Sequence, residues 1–200
     1  MKRIIILILF IFGCTNPIII KNQSTILPLA VGNFWIYRTS YFNLKKQITE
    51  VKFDTVLIKT DTVSGDNGFI YCVMRKDSGL KGDMSLNYKC FNSSDGFHSK
   101  DIFFYKYPVA VNDSFNSEFG IANVESIHTK IYTSIGTLEC IKYSFVRKKS
   151  YEGKIVKYHY VFPGLGTVRT ENYYSIDPYT ASPDSIYLNN IQELIDFHIY

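Results

Sequence analysis

Histidines, cysteines and clustered carboxylates are the side chains most able to carry a reaction or hold a metal, and in this chain they are scattered. His98, His128, His159 and His198 lie far apart, with none of the paired spacing that puts two ligands on one face. Each reads as a surface or packing histidine. A hydrolase must bring together a nucleophile, a base and an orienting group. No Gly-x-Ser-x-Gly elbow, His-Glu-x-x-His helix or Cys-x-x-Cys pair occurs to start one. Asp61, Asp66 and Asp77 fall near turns, where a carboxylate bonds neighbouring amides. Calcium at Asp61-Thr62-Val63-Ser64-Gly65-Asp66 is an option that the low acidic density disfavours. Pro163-Gly164-Leu165-Gly166 is glycine-rich, but no lysine-and-hydroxyl pair follows it as in a phosphate loop. The expectation is a protein without catalytic centre, metal or cofactor, and not an enzyme.

The residue with the clearest chemistry is Cys14. Lys2 and Arg3 precede an apolar run of nine residues, Ile4 to Phe12, followed by Gly13 and Cys14. A charged n-region and an h-region form an export signal. The run is too short for a permanent helical span, which needs about 20 residues. Ile11-Phe12-Gly13-Cys14 resembles a bacterial lipobox, and the resemblance implies cleavage before Cys14 and acylation of its thiol and new amino group. Each buried methylene contributes about 0.8 kcal/mol, so more than one acyl chain gives stable attachment. Residues 1–13 are then a signal peptide, 14–27 a lipidated tether and 28–200 a single β domain. Thr15 and Asn16 place no acidic residue beside the cysteine. By resemblance to known sorting rules, that implies the outer membrane, facing the periplasm.

In an exported chain Cys72, Cys90 and Cys140 meet conditions that permit disulfides. Cys72 and Cys90 lie in two strand-like runs that could be neighbours, so a bridge between them is one option. Buried thiols are the other. The 22 Lys and Arg against 18 Asp and Glu give a net charge of +4, half of it from Lys2 and Arg3. The tight basic groups, Arg147-Lys148-Lys149 and Lys45-Lys46, sit at expected hairpin turns. No concentrated basic surface results, and no nucleic-acid partner is expected.

The elements that must carry these residues are strands. Sixteen Tyr and fifteen Phe accompany many Ile, Val and Thr, whose bulk near the backbone suits pleated sheets. The spacing predicts strands over Phe34–Phe42, Ile48–Val63, Phe69–Arg75, Leu86–Phe91, Ile102–Val109, Ala122–Ser134, Leu138–Lys148, Ile155–Phe162 and Thr167–Tyr174. Turns such as Asn67-Gly68 and Ser93-Ser94-Asp95-Gly96 separate them. Glu193–Tyr200 reads as a closing strand, with a helix over Ser185–Phe197 as the alternative. The predicted fold is an all-β antiparallel meander forming a strongly curved sheet or partly open barrel. Along Leu138–Arg147 both faces carry apolar residues. That pattern fits a sheet whose inner face lines a greasy cavity, or dense aromatic packing without a ligand.

Three stretches carry a further resemblance: Leu27-Pro28-Leu29-Ala30-Val31-Gly32-Asn33-Phe34-Trp35-Ile36-Tyr37, Gly136-Thr137-Leu138-Glu139-Cys140-Ile141-Lys142-Tyr143, and Phe162-Pro163-Gly164-Leu165-Gly166-Thr167-Val168. They resemble lipoproteins of uncharacterised function common in Bacteroidota and neighbouring phyla. Those are in turn similar in outline to periplasmic half-barrel carriers of lipoproteins and lipids. The resemblance covers positions 27 to 168 and transfers no catalytic residue. The motif residues read as structural: Gly32-Asn33 turns the chain into the first strand, Trp35 anchors the core, Gly136 starts a long strand, and Pro163, Gly164 and Gly166 shape a bend.

The leading expectation is a non-catalytic, membrane-anchored envelope lipoprotein that binds an apolar ligand or an envelope partner on its β-sheet. The alternative is a structural or surface-exposed subunit of an envelope assembly, with no ligand cavity. A hydrolase ranks third, and would need a pocket joining a histidine to an acid and a hydroxyl.

Overall fold

The computed structural model describes residues 24–63, 69–77, 88–99, 102–146, 155–175 and 186–200. Cys14, Ser64-Gly65-Asp66, the Asn67-Gly68 turn, Arg147-Lys148-Lys149 and the side chains of Asp61, Cys72 and Asp77 lie outside the described residues. Twelve strands are described: β1 (Phe34–Phe42), β2 (Ile48–Val63), β3 (Phe69–Asp77), β4 (Tyr88–Ser93), β5 (Gly96–Ser99), β6 (Ile102–Lys106), β7 (Ser114–Ser117), β8 (Gly120–Thr133), β9 (Gly136–Val146), β10 (Ile155–Phe162), β11 (Gly166–Ser175) and β12 (Ile186–His198). The chain is all-β across these residues, as its β-branched and aromatic content predicts.

Local chemistry sets the hairpins. Between β1 and β2 the Asn43 carboxamide oxygen accepts from the backbone N–H of Lys45 and Gln47 at 2.9 and 3.0 Å. That Asx arrangement fixes the turn and leaves Lys45 and Lys46 exposed on it. At the start of β5, Gly96 lies with its φ at +152° against the Tyr105 carbonyl of β6, where a Cβ would collide. Only glycine lets β5 and β6 approach there.

The expected strongly curved sheet or partly open barrel, antiparallel throughout, is corrected in two respects. The sheet is mixed, because β6 and β7 run parallel and meet at Phe103↔Ser117. Nor does an edge strand remain among the described elements. β1 pairs with β2 on one side and with β12 on the other, from Phe34↔His198 to Tyr41↔Asn190, so the strand order closes into a barrel. The physical cause is the length of β12. It begins at Ile186, well before the expected Glu193, and serves both β11 and β1, satisfying backbone groups that an open edge would expose. This extended pairing also replaces the alternative of a C-terminal helix.

The core falls into two clusters. One gathers Ile141, Tyr143 and Phe145 of β9 with Ala122, Val124, Phe97 and Tyr105. The other gathers Leu138 and Cys140 of β9 with Trp35, Ile58, Val168 and Leu194. The division falls between Cys140 and Ile141, beside register shifts of β8 against β9 between Val124 and Thr129. A bulge changes which alternate residues point inward. Leu27 and Leu29 pack against both clusters, joining them into one interior.

Candidate functional site: an interior cavity

The segment before β1 is built into the barrel. Ile26 is buried. The Gly164 N–H, in the turn between β10 and β11, donates to the carbonyls of Thr25 and Ile26 at 2.7 and 3.1 Å. Asn92 of β4 donates its Nδ2–H to the Leu27 carbonyl at 2.8 Å. Leu27 also covers Gly166 so closely that a Cβ there would strike its Cδ1, and Gly166 holds a φ of +94°. Thr25 to Leu27, within the stretch expected as tether, pack against the barrel.

Several motif residues converge on this segment. Asn33 is fully buried. Its Nδ2 donates to the Pro28 carbonyl at 2.7 Å, and its Oδ1 accepts from the Tyr200 N–H at 3.0 Å. Gly32 donates to the Ile58 carbonyl at 2.9 Å and lies under the Tyr200 ring. Trp35, also fully buried, donates its indole N–H to the Leu165 carbonyl at 2.8 Å. The opening motif and the Pro163–Gly166 turn, some 130 residues apart, thus clasp one another. Gly136 lies elsewhere, in the β8–β9 turn, where Thr133 Oγ1 donates to its carbonyl at 2.9 Å.

Above Ile26 and Leu27 the barrel holds a cavity of about 420 Å³. That volume falls in the range of roughly 300–1,000 Å³ usual for small-molecule sites. Trp35, Tyr37 and Val56 form one wall. Cys90, Phe97, Phe104 and Tyr105 form the facing wall, and Glu118 and Phe119 stand at the turn between β7 and β8. Glu118 is exposed and is the sole charged residue among the described lining residues.

A polar cluster backs the cavity. The Tyr105 hydroxyl lies 2.7 Å from Nδ1 of His159 and 2.9 Å from Oγ1 of Thr167. The Tyr37 hydroxyl donates to the Thr167 carbonyl at 3.0 Å. Burial, reinforced by the charge of Lys157, pulls the His159 imidazole down to about 3, so it stays neutral at physiological pH. Burial pushes the Tyr37 and Tyr105 phenols upward, each away from ionisation. No carboxylate joins these three groups in the described hydrogen bonds, so the cluster lacks the acid that orients a catalytic base.

Elsewhere a serine, a histidine and an aspartate do meet. Ser93 Oγ lies 2.7 Å from Nε2 of His98, and Asp95 Oδ1 lies 3.1 Å from the same nitrogen. Asp95 also accepts from Ser93. A relay needs the hydroxyl on one ring nitrogen and the acid on the other. Here both compete for one, within the six residues from Ser93 to His98, and none of the three lines the cavity. The arrangement caps the β4–β5 hairpin, with His98 stacked on Phe91. His198 stacks on Phe34, and exposed His128 pairs with Glu139. Among the described residues no group of three or more His, Cys, Asp or Glu could hold a metal.

Cys90 and Cys140 are both buried. The β3–β4 register sets Cys90 opposite Tyr71 and Cys72 opposite Lys89. Burial, then the charge of Glu139, pushes the Cys140 thiol up to about 12, which removes it as a nucleophile. Sequence reasoning did not bring Tyr105, His159 and Thr167 together, since 54 and 62 residues separate the pairs. The available signal was a histidine sharing one strand face with Val161, weakened by Lys157 on that same face.

Comparison with known proteins yields little beyond this geometry. No protein-family model matches the chain. No curated protein matches it at a significant level. Among solved structures it is similar to one from Parabacteroides distasonis described as a "putative lipoprotein", with 13% sequence identity and a TM-score of 0.46. That likeness covers 89% of this chain and 100% of the other.

Proposed function

We propose that this protein is a non-catalytic lipoprotein of the cell envelope, anchored through acylated Cys14, whose barrel takes up an apolar ligand. The cavity of about 420 Å³ between Trp35 and Phe97 carries the ligand reading. Its walls are aromatic and aliphatic, with few polar groups, the usual lining for an apolar guest. The anchor reading rests on the charged start, the short apolar run and Gly13-Cys14. In it the tether runs from Cys14 to the first packed residues near Thr25, short enough to hold the barrel close to its bilayer. The outer membrane, on its periplasmic side, is the proposed address.

Native mass spectrometry of the protein extracted in mild non-ionic detergent tests both parts. The expected spectrum shows a polypeptide beginning at Cys14 with covalent acyl mass, and a further non-covalent adduct that leaves on collisional activation. A chain beginning elsewhere overturns the anchor. An adduct-free spectrum under conditions that retain bound lipid overturns the ligand reading.

A second reading, a subunit of an envelope assembly, draws on a different surface. Leu44, Ile48, Val51 and Phe53 are 60, 60, 45 and 47% exposed around the β1–β2 hairpin. Apolar exposure of this kind suits a protein contact.

A further inference from the structure

The chemistry of the cavity narrows its guest. Among the described residues neither arginine nor lysine lines it, whereas the Glu118 carboxylate stands at its rim. Lys157 sits over the Phe119 ring at 5.0 Å from the centroid and is not itself among the lining residues. A guest carboxylate would lose its hydration, find no cation among the described lining residues and meet Glu118 on the way in. An uncharged head avoids all three costs.

The polar wall also has a preferred complement. Tyr37 directs its hydroxyl proton to the Thr167 carbonyl, away from any guest. Tyr105 and Thr167 face one another at 2.9 Å, with His159 Nδ1 on the far side of Tyr105. In the neutral tautomer that carries its proton on Nε2, His159 accepts at Nδ1, Tyr105 donates to it and Thr167 donates to Tyr105. Both hydroxyl protons are then spent within the cluster, while oxygen lone pairs remain. What remains open to a guest is acceptance.

We propose that the cavity selects an uncharged single-chain amphiphile whose head donates a hydrogen bond to the Tyr105–Thr167 oxygens, an assignment that rests on the cavity being a ligand site. A long-chain alcohol is the simplest member of this class. Its chain would lie between Trp35 and Phe97, and its hydroxyl would point toward Thr167.

Trp35 supplies the readout, because it is the chain's single tryptophan and forms part of the wall. The detergent-extracted full-length mature protein is titrated at pH 8 with 11-bromoundecanol and, separately, 11-bromoundecanoate, whose bromine quenches an indole at contact. The alcohol is expected to reach half-maximal quenching at a concentration at least tenfold lower. Glu118→Gln should narrow the gap by easing entry of the carboxylate. Thr167→Val should narrow it from the other side by weakening the alcohol several-fold. Equal or stronger quenching by the carboxylate overturns the head-group assignment and leaves the cavity reading standing. So does a ratio unmoved by either substitution. Failure of both probes to quench Trp35 overturns the cavity reading as well.

Discussion

Tyr105 and His159 share one buried hydrogen bond, and its worth depends on His159 staying neutral. The folded imidazole titrates near 3, below its ordinary 6.5, because burial disfavours the cation. As pH falls through 6.5 the unfolded chain takes up the proton first. Stability tied to His159 is therefore whole above that value and is lost progressively toward pH 3, at about 1.4 kcal/mol per pH unit where the slope is steepest. His159→Gln keeps an acceptor for Tyr105 and removes the titration. Urea denaturation between pH 7 and 4 should show a shallower loss of stability in that variant than in the parent protein. Identical slopes would mean that His159 is not held neutral. The sequence exposed only half of this pair. Tyr105 alternates with Phe103 and Tyr107 as an aromatic face should, but nothing local connects it to a histidine two hairpins away.

Strands were more legible than the way they twist about one another. β1 and β2 coincide with the sequence reading because long alternating runs end in clear turn residues. β5 and β7, four residues each, are too short to display alternation and were missed. β9 was read as apolar on both faces. Its apolar residues in fact change parity, Leu138 and Cys140 before the shift and Ile141, Tyr143 and Phe145 after it, so each cluster receives one set. Register shifts depend on the partner strand, and a single strand's sequence does not announce them. Close approach can decide an element outright, as at Gly96. Gly96→Ala should cost about 1–3 kcal/mol, since the methyl meets the Tyr105 backbone at a φ that L side chains rarely adopt. The measurement is the urea midpoint. A change below about 0.5 kcal/mol would show that β5 and β6 can separate locally without penalty.

At the scale of the whole molecule, closure depends on the last residues of the chain. Phe34↔His198, Trp35↔Phe197 and Ile36↔Asp196 pair β12 to β1, and the Tyr200 N–H reaches the Asn33 carboxamide. Removing residues 196–200 should expose the first turn of the closing pair and unseat Asn33 from Pro28. Thermal unfolding should shift down by several degrees or more, given that each 1 kcal/mol moves the midpoint by about 2–4 °C in a domain of this size. An unchanged midpoint would mean that the ring holds without its final seam. The C-terminal strand was foreseen in the sequence, while its full length and its two partners were not, because closure is a property of both chain ends together.

Among the described strands one junction is parallel, where β6 meets β7 at a single bridge, and it gives the wall its most thinly fastened stave. Its neighbours Phe104, Glu118 and Phe119 border the hollow interior. Should the cask ever gape, it would do so along this side, admitting a guest sideways beneath the Phe119 ring while the hoop formed by the first and last strands stays fastened.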